Sequence, residues 1–361
     1  MMEYVNNHIH TTYSFSPYTP SQAVRLAREA GLAVAGIVDH DSVGGCEEFI
    51  EAGAALGMPV TIGFELRVSM RGTPFDGKTV NNPDQRSVAY VAAHGIPHDK
   101  IAACERFLAP CRARRNIRNI KMTERLNHIL PEQLQLDFHE DILPLSRHED
   151  GGSVTERHIL CGLSHKIINK YGKGAPVIAL IQERLGIPAA EKLLIYLLDP
   201  ENPHYLYDLL GVLKSGLVQK FYIDADEECP DVGEFLRFTE SIGAISAYAY
   251  LGDVGDSVTG DKKPQKFEDD YLDELFAWLA QAGFRAVTYM PSRNSVAQLR
   301  RVMDLCGAHG LFQISGEDIN SPRQPFICPA LARPEFAHLN RAARALVDRT
   351  RGSGNRTQES G

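Results

Sequence analysis

The sequence predicts an α/β fold of parallel strands, in an open sheet or a closed barrel, interrupted by a mainly helical middle. Three observations carry this. Strand and helix signals alternate over the first 70 residues, the same rhythm returns after about residue 230, and residues 101–215 show helical periodicity with no strand signal. At 361 residues with 43% hydrophobic content, the chain can bury a sizeable core.

The elements follow in order. Residues 3–9 read as a short strand ending in His8-Ile9-His10. Thr19-Pro20-Ser21 reads as a helix start, with Thr19 as N-cap, Pro20 in the first turn and Gly31 as the stop. Ala33-Val34-Ala35-Gly36-Ile37-Val38 is a buried strand running into Asp39-His40-Asp41. A helix from Glu47 closes at Gly57, and residues 59–66 form a third strand carrying Glu65. Late in the chain, helices at 230–243, 271–283 and 295–310 alternate with strands at 244–252, 284–290 and 311–318. The middle reads as a helical insertion covering one end of the barrel. Residues 331–361 read as one amphipathic helix followed by a disordered tail. The expected division is therefore 1–100 with 216–330 as barrel, 101–215 as insertion, and 331–361 as helix and tail.

Composition excludes some classes. A net charge of −8 argues against a general nucleic-acid binder, leaving at most a nucleotide. Seven scattered cysteines without CxxC spacing argue against a disulfide framework and fit a reducing compartment, so a cytoplasmic location is expected. No apolar run is long enough to span a membrane.

In parallel β/α folds, functional groups gather at the C-terminal ends of strands. Here four such ends carry metal-capable groups: His8 and His10, then Asp39-His40-Asp41, then Glu65, then Glu317-Asp318. Residues i and i+2 of a strand share a face, so the imidazoles of His8 and His10 can reach one ion. His40 can ligate or move a proton. Glu65 is costly at the end of a buried strand unless it is paired, with Arg67 for example, or bound to metal. Asp318 completes a mixed N2O2 set of the kind that suits Zn, Mn or Fe. Helix capping is the competing reading for Asp41 or Ser42, and for Asp318. Arg293, following a barrel strand, is a candidate for holding a phosphate.

With these residues in hand, the chain resembles the PHP (polymerase and histidinol phosphatase) domain family. The shared segments are His8-Ile9-His10, Thr19-Pro20, Val38-Asp39-His40-Asp41, Gly63-Phe64-Glu65 and Ser315-Gly316-Glu317-Asp318. The resemblance implies a distorted (β/α)7 TIM-like barrel with a helical insertion. It also implies a metal-dependent hydrolase that cleaves a small phosphorylated substrate by a metal-bound hydroxide. Thr155-Glu156-Arg157-His158-Ile159 resembles the R-x-H segment that faces the site in relatives, making Arg157 and His158 substrate-binding candidates. Three positions depart from the pattern: Phe15 replaces an acid or histidine, Asn320 replaces the last histidine, and Tyr250 replaces the histidine of A-H-P-G. The first metal site (His8, His10, Glu65, Asp318) is then complete. The second reduces to Glu65 with His94, or Tyr90 in its place, and the third to His40. One or two ions are expected, not three. Asp39 and His40 are expected to manage protons, and Tyr250 to donate to a substrate oxygen. Two alternatives stand beside this: an amidohydrolase-type C–N hydrolase, and a degraded barrel that binds a phosphorylated ligand without catalysis.

Overall fold

The computed structural model describes residues 3–188, 191–254 and 265–351; the tail expected to be disordered, residues 352–361, lies outside them. Strand β1 (Tyr4–Ile9) is followed by helix α1 (Pro20–Ala30), β2 (Leu32–His40), α2 (Cys46–Leu56) and β3 (Val60–Ser69). The start of α1 is written locally. Thr19 Oγ1 accepts from the Gln22 backbone N–H while Gln22 Oε1 accepts from that of Thr19, a reciprocal capping box with Pro20 in the first turn. Gly31 ends the helix at φ +92°, a left-handed conformation that only glycine adopts without strain. The cap of α2 is Gly45, not Asp41 or Ser42.

Strand β4 (Val88–His94) precedes five helices, α3 (Ile101–Asn127), α4 (Glu156–Tyr171), α5 (Ala175–Ala179), α6 (Glu191–Leu198) and α7 (Tyr205–Phe221). The alternation then resumes through α8 (Val232–Ser241), β5 (Ile245–Ala249), α9 (Leu272–Ala282), β6 (Ala286–Tyr289), α10 (Val296–His309) and β7 (Phe312–Ser315), and closes with α11 (Ala337–Arg351). No described helix is long and apolar enough to cross a membrane.

The seven strands form one sheet in sequential order. Beyond β7, Ile319 bridges in parallel to Ile9 of β1, so the sheet nearly closes into a barrel. One expectation is corrected here: β4 runs antiparallel to both β3 and β5, while the other neighbouring pairs are parallel. The reason is the connection. Residues 70–87 contain no helix to carry the chain back across the sheet, and without such a crossover the next strand pairs antiparallel. Gly63 permits the close approach, since a Cβ there would collide with the carbonyl oxygen of Ala93 on β4.

Apolar clusters on both sides of the strands and in the helical layer hold the molecule together. Outward residues of the strands, such as Ile37, Phe64, Tyr248 and Val287, pack under the surrounding helices. Ile245, Ala247, Ala286 and Ile314 form a smaller cluster with Leu346 of α11, and Thr350 on the same helix accepts from the Ile62 backbone N–H at 3.4 Å. The helical layer has its own core, which includes Leu163, Ile181, Leu209, Leu213 and Phe221. All seven cysteines are buried free thiols.

Candidate metal centre

His8 and His10 stand on one face of the β1 end, their ring centroids 5.0 Å apart, as strand alternation requires. On the next strands His40 and Glu65 are register partners, so both side chains turn into the barrel mouth. Asp318 arrives by a different route. His10 N–H donates to Ile319 O (2.9 Å) and Ile319 N–H to His8 O (3.1 Å), so the chain after β7 is stitched to β1 beside the histidines.

These five residues converge. Glu65 Oε2 lies 3.7 Å from His8 Nε2, 4.0 Å from His10 Nε2 and 2.9 Å from His40 Nδ1. Asp318 Oδ1 lies 3.3 Å from His10 Nε2. One ligand atom each from His8, His10 and Glu65 falls within 4.8 Å of the others, and all three residues are buried. His8 Nδ1 and His10 Nε2 are buried without a hydrogen-bond partner. An orphaned His10 Nε2 facing both Glu65 and Asp318, with His8 Nε2 beside it, fits a divalent cation better than a purely structural cluster.

Electrostatics agree. Burial works to lower the pKa of His8, but Glu65, then Asp318 and Asp39, outweigh it and raise it. Burial also works against ionised Glu65, yet His8 and His40 hold its carboxyl well below the usual range. Asp318 is likewise held below its ordinary value, burial being outweighed by His10 and then His8 and Arg157. A site that draws positive charge onto its imidazoles is a site that favours a cation. His40 differs: burial lowers its pKa despite Glu65.

Strand alternation splits the Asp39-His40-Asp41 run. His40 points into the mouth. Asp39 instead accepts from Thr11 N–H, Thr11 Oγ1 and Ser14 Oγ, each at 2.6 Å. Ser14 Oγ lies 3.2 Å from His10 Nδ1. With its own proton given to Asp39, Ser14 accepts from His10 Nδ1–H, which leaves the lone pair on Nε2 facing Glu65 and Asp318. The sequence reading had no signal for Thr11 or Ser14 beyond their place just after the histidines. Asp41 adopts φ +50° and gives its carboxylate to Arg115 of α3.

The other expected residues divide. Arg157 belongs to the site's rim: it donates to Asn320 Oδ1 (2.6 Å), and Asn320 Nδ2 donates to Asp318 Oδ1 (2.7 Å). His94, one end of β4, pairs with Gly63 two residues before Glu65, so the antiparallel strand sets it below the cluster of three. It is buried with Nε2 unpartnered, and burial, then His8, lowers its pKa to about 3. Tyr90, four residues earlier on β4, has its ring centroid 6.0 Å from that of His40.

Three candidates have their polar groups engaged elsewhere in this structure. The Tyr250 hydroxyl donates to Asp269 Oδ1 at 2.7 Å, committed to the segment before α9 and not to the histidines. His158 closes the N-terminal turn of α4, its Nδ1 accepting from Thr155 N–H at 2.9 Å, and stands edge-on to Phe15 at 4.9 Å. Arg293 Nε donates to the carbonyl of Leu251 at 3.1 Å, bracing one loop against another. Phe15, where relatives carry a ligand, is part of the helical layer's apolar core. Glu65 does not pair with Arg67. Arg67 instead reaches Glu228 at 2.9 Å and Glu156 at 3.4 Å, in a buried ion network shared with Arg118.

The PHP domain family model matches residues 6–284, a span that takes in both barrel halves up to β6 and the whole helical middle. The chain belongs to the PHP domain family. Solved structures share its fold. A Bifidobacterium adolescentis protein, provisionally named a metal-dependent phosphoesterase, superposes with a TM-score of 0.61 over 97% of each chain at 20% identity. An amidohydrolase from Chromobacterium violaceum, solved with sulfate and without metal, gives 0.59 over 95% of this chain and 96% of its own at 16% identity. No curated protein sequence matches the chain. PHP membership and the His8–His10–Glu65 cluster together support a metal-dependent hydrolase.

Proposed function

We propose that this PHP protein is a phosphoesterase whose metal is held by His8, His10, Glu65 and Asp318. The observation that carries the reading is the convergence of two buried imidazoles, with His10 Nε2 orphaned, and two carboxylates, Arg157 being joined to Asp318 through Asn320. An N2O2 donor set suits Mn, Zn or Fe. When bound, such an ion supplies Lewis-acid and water-activating chemistry. Glu65, lying against three imidazoles, is the ligand best placed to be shared if a second ion binds.

The chain's own residues do the rest. His40 sets Nδ1 against Glu65 Oε2 at 2.9 Å, and with burial lowering its pKa its other ring nitrogen can take a proton from an attacking water. Arg157, always charged, offers N–H donors to a phosphoryl oxygen and stabilises the negative charge that grows there. Asp39 does not exchange protons; it orients His10 through Ser14. The amidohydrolase-type alternative relies on a strand-borne lysine or further histidines; none of β1–β7 carries a lysine.

The test joins metal content to a substrate screen. Wild-type protein should carry one to two equivalents of Mn, Zn or Fe and hydrolyse phosphoesters but not amides. Glu65→Gln and Asp318→Asn should lose metal by elemental analysis and lose activity by about 10²-fold or more. Retention of both in these variants would overturn the reading. Thermal stabilisation by phosphorylated compounds, with no hydrolysis by metal-loaded protein, would instead favour the binding barrel.

A further inference from the structure

Helix α7 crosses the barrel mouth like a beam pinned at both ends. Near its start Asp208 takes two hydrogen bonds from Arg323, both 2.7 Å, and Arg323 belongs to the segment that follows β7. Just past its end the Tyr222 hydroxyl accepts from Arg67 of β3 at 3.2 Å. Around the barrel, β7 is followed by β1, β2 and β3. The span between the pins therefore passes over β1 and β2, the strands that carry His8, His10 and His40.

The face of α7 turned to the barrel is marked by Tyr207, whose ring lies 5.8 Å from that of Phe15 in the segment after β1. Helical periodicity places the residues four and seven positions later on that same face. They are Gly211 and Lys214. At Gly211 a Cβ would meet nothing within 4 Å, so the helix there borders open space. Lys214 is exposed, and among the described residues it makes no ion pair or hydrogen bond. Helix α4 packs against α7 and contributes Arg157, already tied through Asn320 to Asp318.

Arg157 first, and loss of hydration second, lower the pKa of Lys214 to about 8, against attraction from Asp84, Glu156 and Asp318. Lys214 on α7 and Arg157 on the neighbouring α4 border the space beside Gly211, and no carboxylate lies within ion-pairing distance of Lys214 among the described residues. Like charges left facing each other across open space stabilise nothing in the fold. They are suited to an anion placed between them.

We propose that Lys214 and Arg157 form an oxyanion subsite on the underside of the helical roof, and that Lys214 fixes the enzyme's preference for a phosphoryl group. Arg157 supplies directed, planar N–H donors, and Lys214 supplies a point charge on a flexible stem. This rests on the phosphoesterase reading, which gives the anion its identity.

The experiment is calorimetric titration of inorganic phosphate into the full-length protein, with and without manganese. Lys214→Ala should weaken phosphate binding by about tenfold, the loss expected for one charge-assisted contact. Lys214→Arg should stay near wild type. Lys220→Ala, an exposed lysine on another face of α7, should bind phosphate as wild type does. Unchanged melting temperatures would show that the folds are intact, as expected for exposed positions. Wild-type phosphate affinity in Lys214→Ala, or no phosphate binding by wild type, would overturn the subsite. The two ideas fail separately. Lys214-dependent phosphate binding without phosphoester hydrolysis keeps the subsite and sinks the reaction. Hydrolysis with an unchanged kcat/KM in Lys214→Ala keeps the reaction and sinks the subsite.

Discussion

Asp39 is buried and accepts three hydrogen bonds, which leaves it no free role in proton transfer. Its effect reaches the metal centre through Ser14 and the tautomer of His10. Partners behind a ligating histidine are typically worth about 10- to 100-fold in metal affinity. Asp39→Asn should therefore weaken metal binding by that order in a chelator competition, because the amide turns donors toward Thr11 and Ser14. Unchanged affinity would show that His10 needs no such support. The same comparison explains which residues were legible. His8, His10, His40 and Glu65 followed from alternation along strands, a rule that sequence obeys directly. Asp39 was visible as a residue but not as a positioning group, because its donors come from a loop whose path no periodicity encodes. The partner of Tyr250 was not legible for a related reason: being next to a strand end says nothing about where a hydroxyl finds its acceptor, and here that acceptor is Asp269.

At the scale of elements, caps and β/α alternation were written in local signals, such as the Thr19–Gln22 box and Gly31. The direction of β4 was not. It depends on whether residues 70–87 cross the sheet, and the loop carries no signal that decides it. The segment between β5 and α9 holds a testable oddity. Glu268 is buried; its Oε1 accepts from Leu251 N–H (2.9 Å) and Gly252 N–H (3.2 Å), while Oε2 has no partner among the described residues. Burial pushes its pKa up to about 7. A carboxyl whose folded pKa is raised contributes most below its unfolded pKa of about 4.3. That contribution is lost as pH rises toward 7, where the buried group must ionise. Glu268→Gln keeps an acceptor for both N–H groups and removes the titration. The variant should melt higher than wild type at pH 8 and show little difference at pH 4.5. Equal melting temperatures at pH 8 would mean that ionised Glu268 is compensated in the fold.

The two largest apolar cores meet across a polar seam, with the candidate metal centre on the barrel side of that seam. Arg67, Arg115 and Arg118 face Asp41, Glu156 and Glu228 along it, so charge balances locally while the chain as a whole is acidic. Buried networks of this kind fix orientation more than they add stability. The barrel's opposite end is closed by apolar contact instead. Leu346 of α11 is fully buried against Ile245, Ala247, Ala286 and Ile314, and Arg349 donates to the carbonyl of Gly243 at 3.2 Å. If α11 is the floor of the barrel, Leu346→Ala should cost roughly 2–5 kcal/mol, the usual range for an unfilled leucine site. It should lower the melting temperature by several degrees and leave metal content unchanged, since the ligands lie at the other end. Leu346→Asp places a carboxylate in the same apolar floor, a cost comparable with the roughly 5–15 kcal/mol of a typical domain, and should abolish soluble expression. Arg344→Ala, which breaks only a half-exposed pair with Glu3, should change stability by no more than about 1 kcal/mol. Were Leu346→Ala to melt with wild type, α11 would be an appendage, and the strand ends near Gly95 and Gly243 would have to be closed by other contacts.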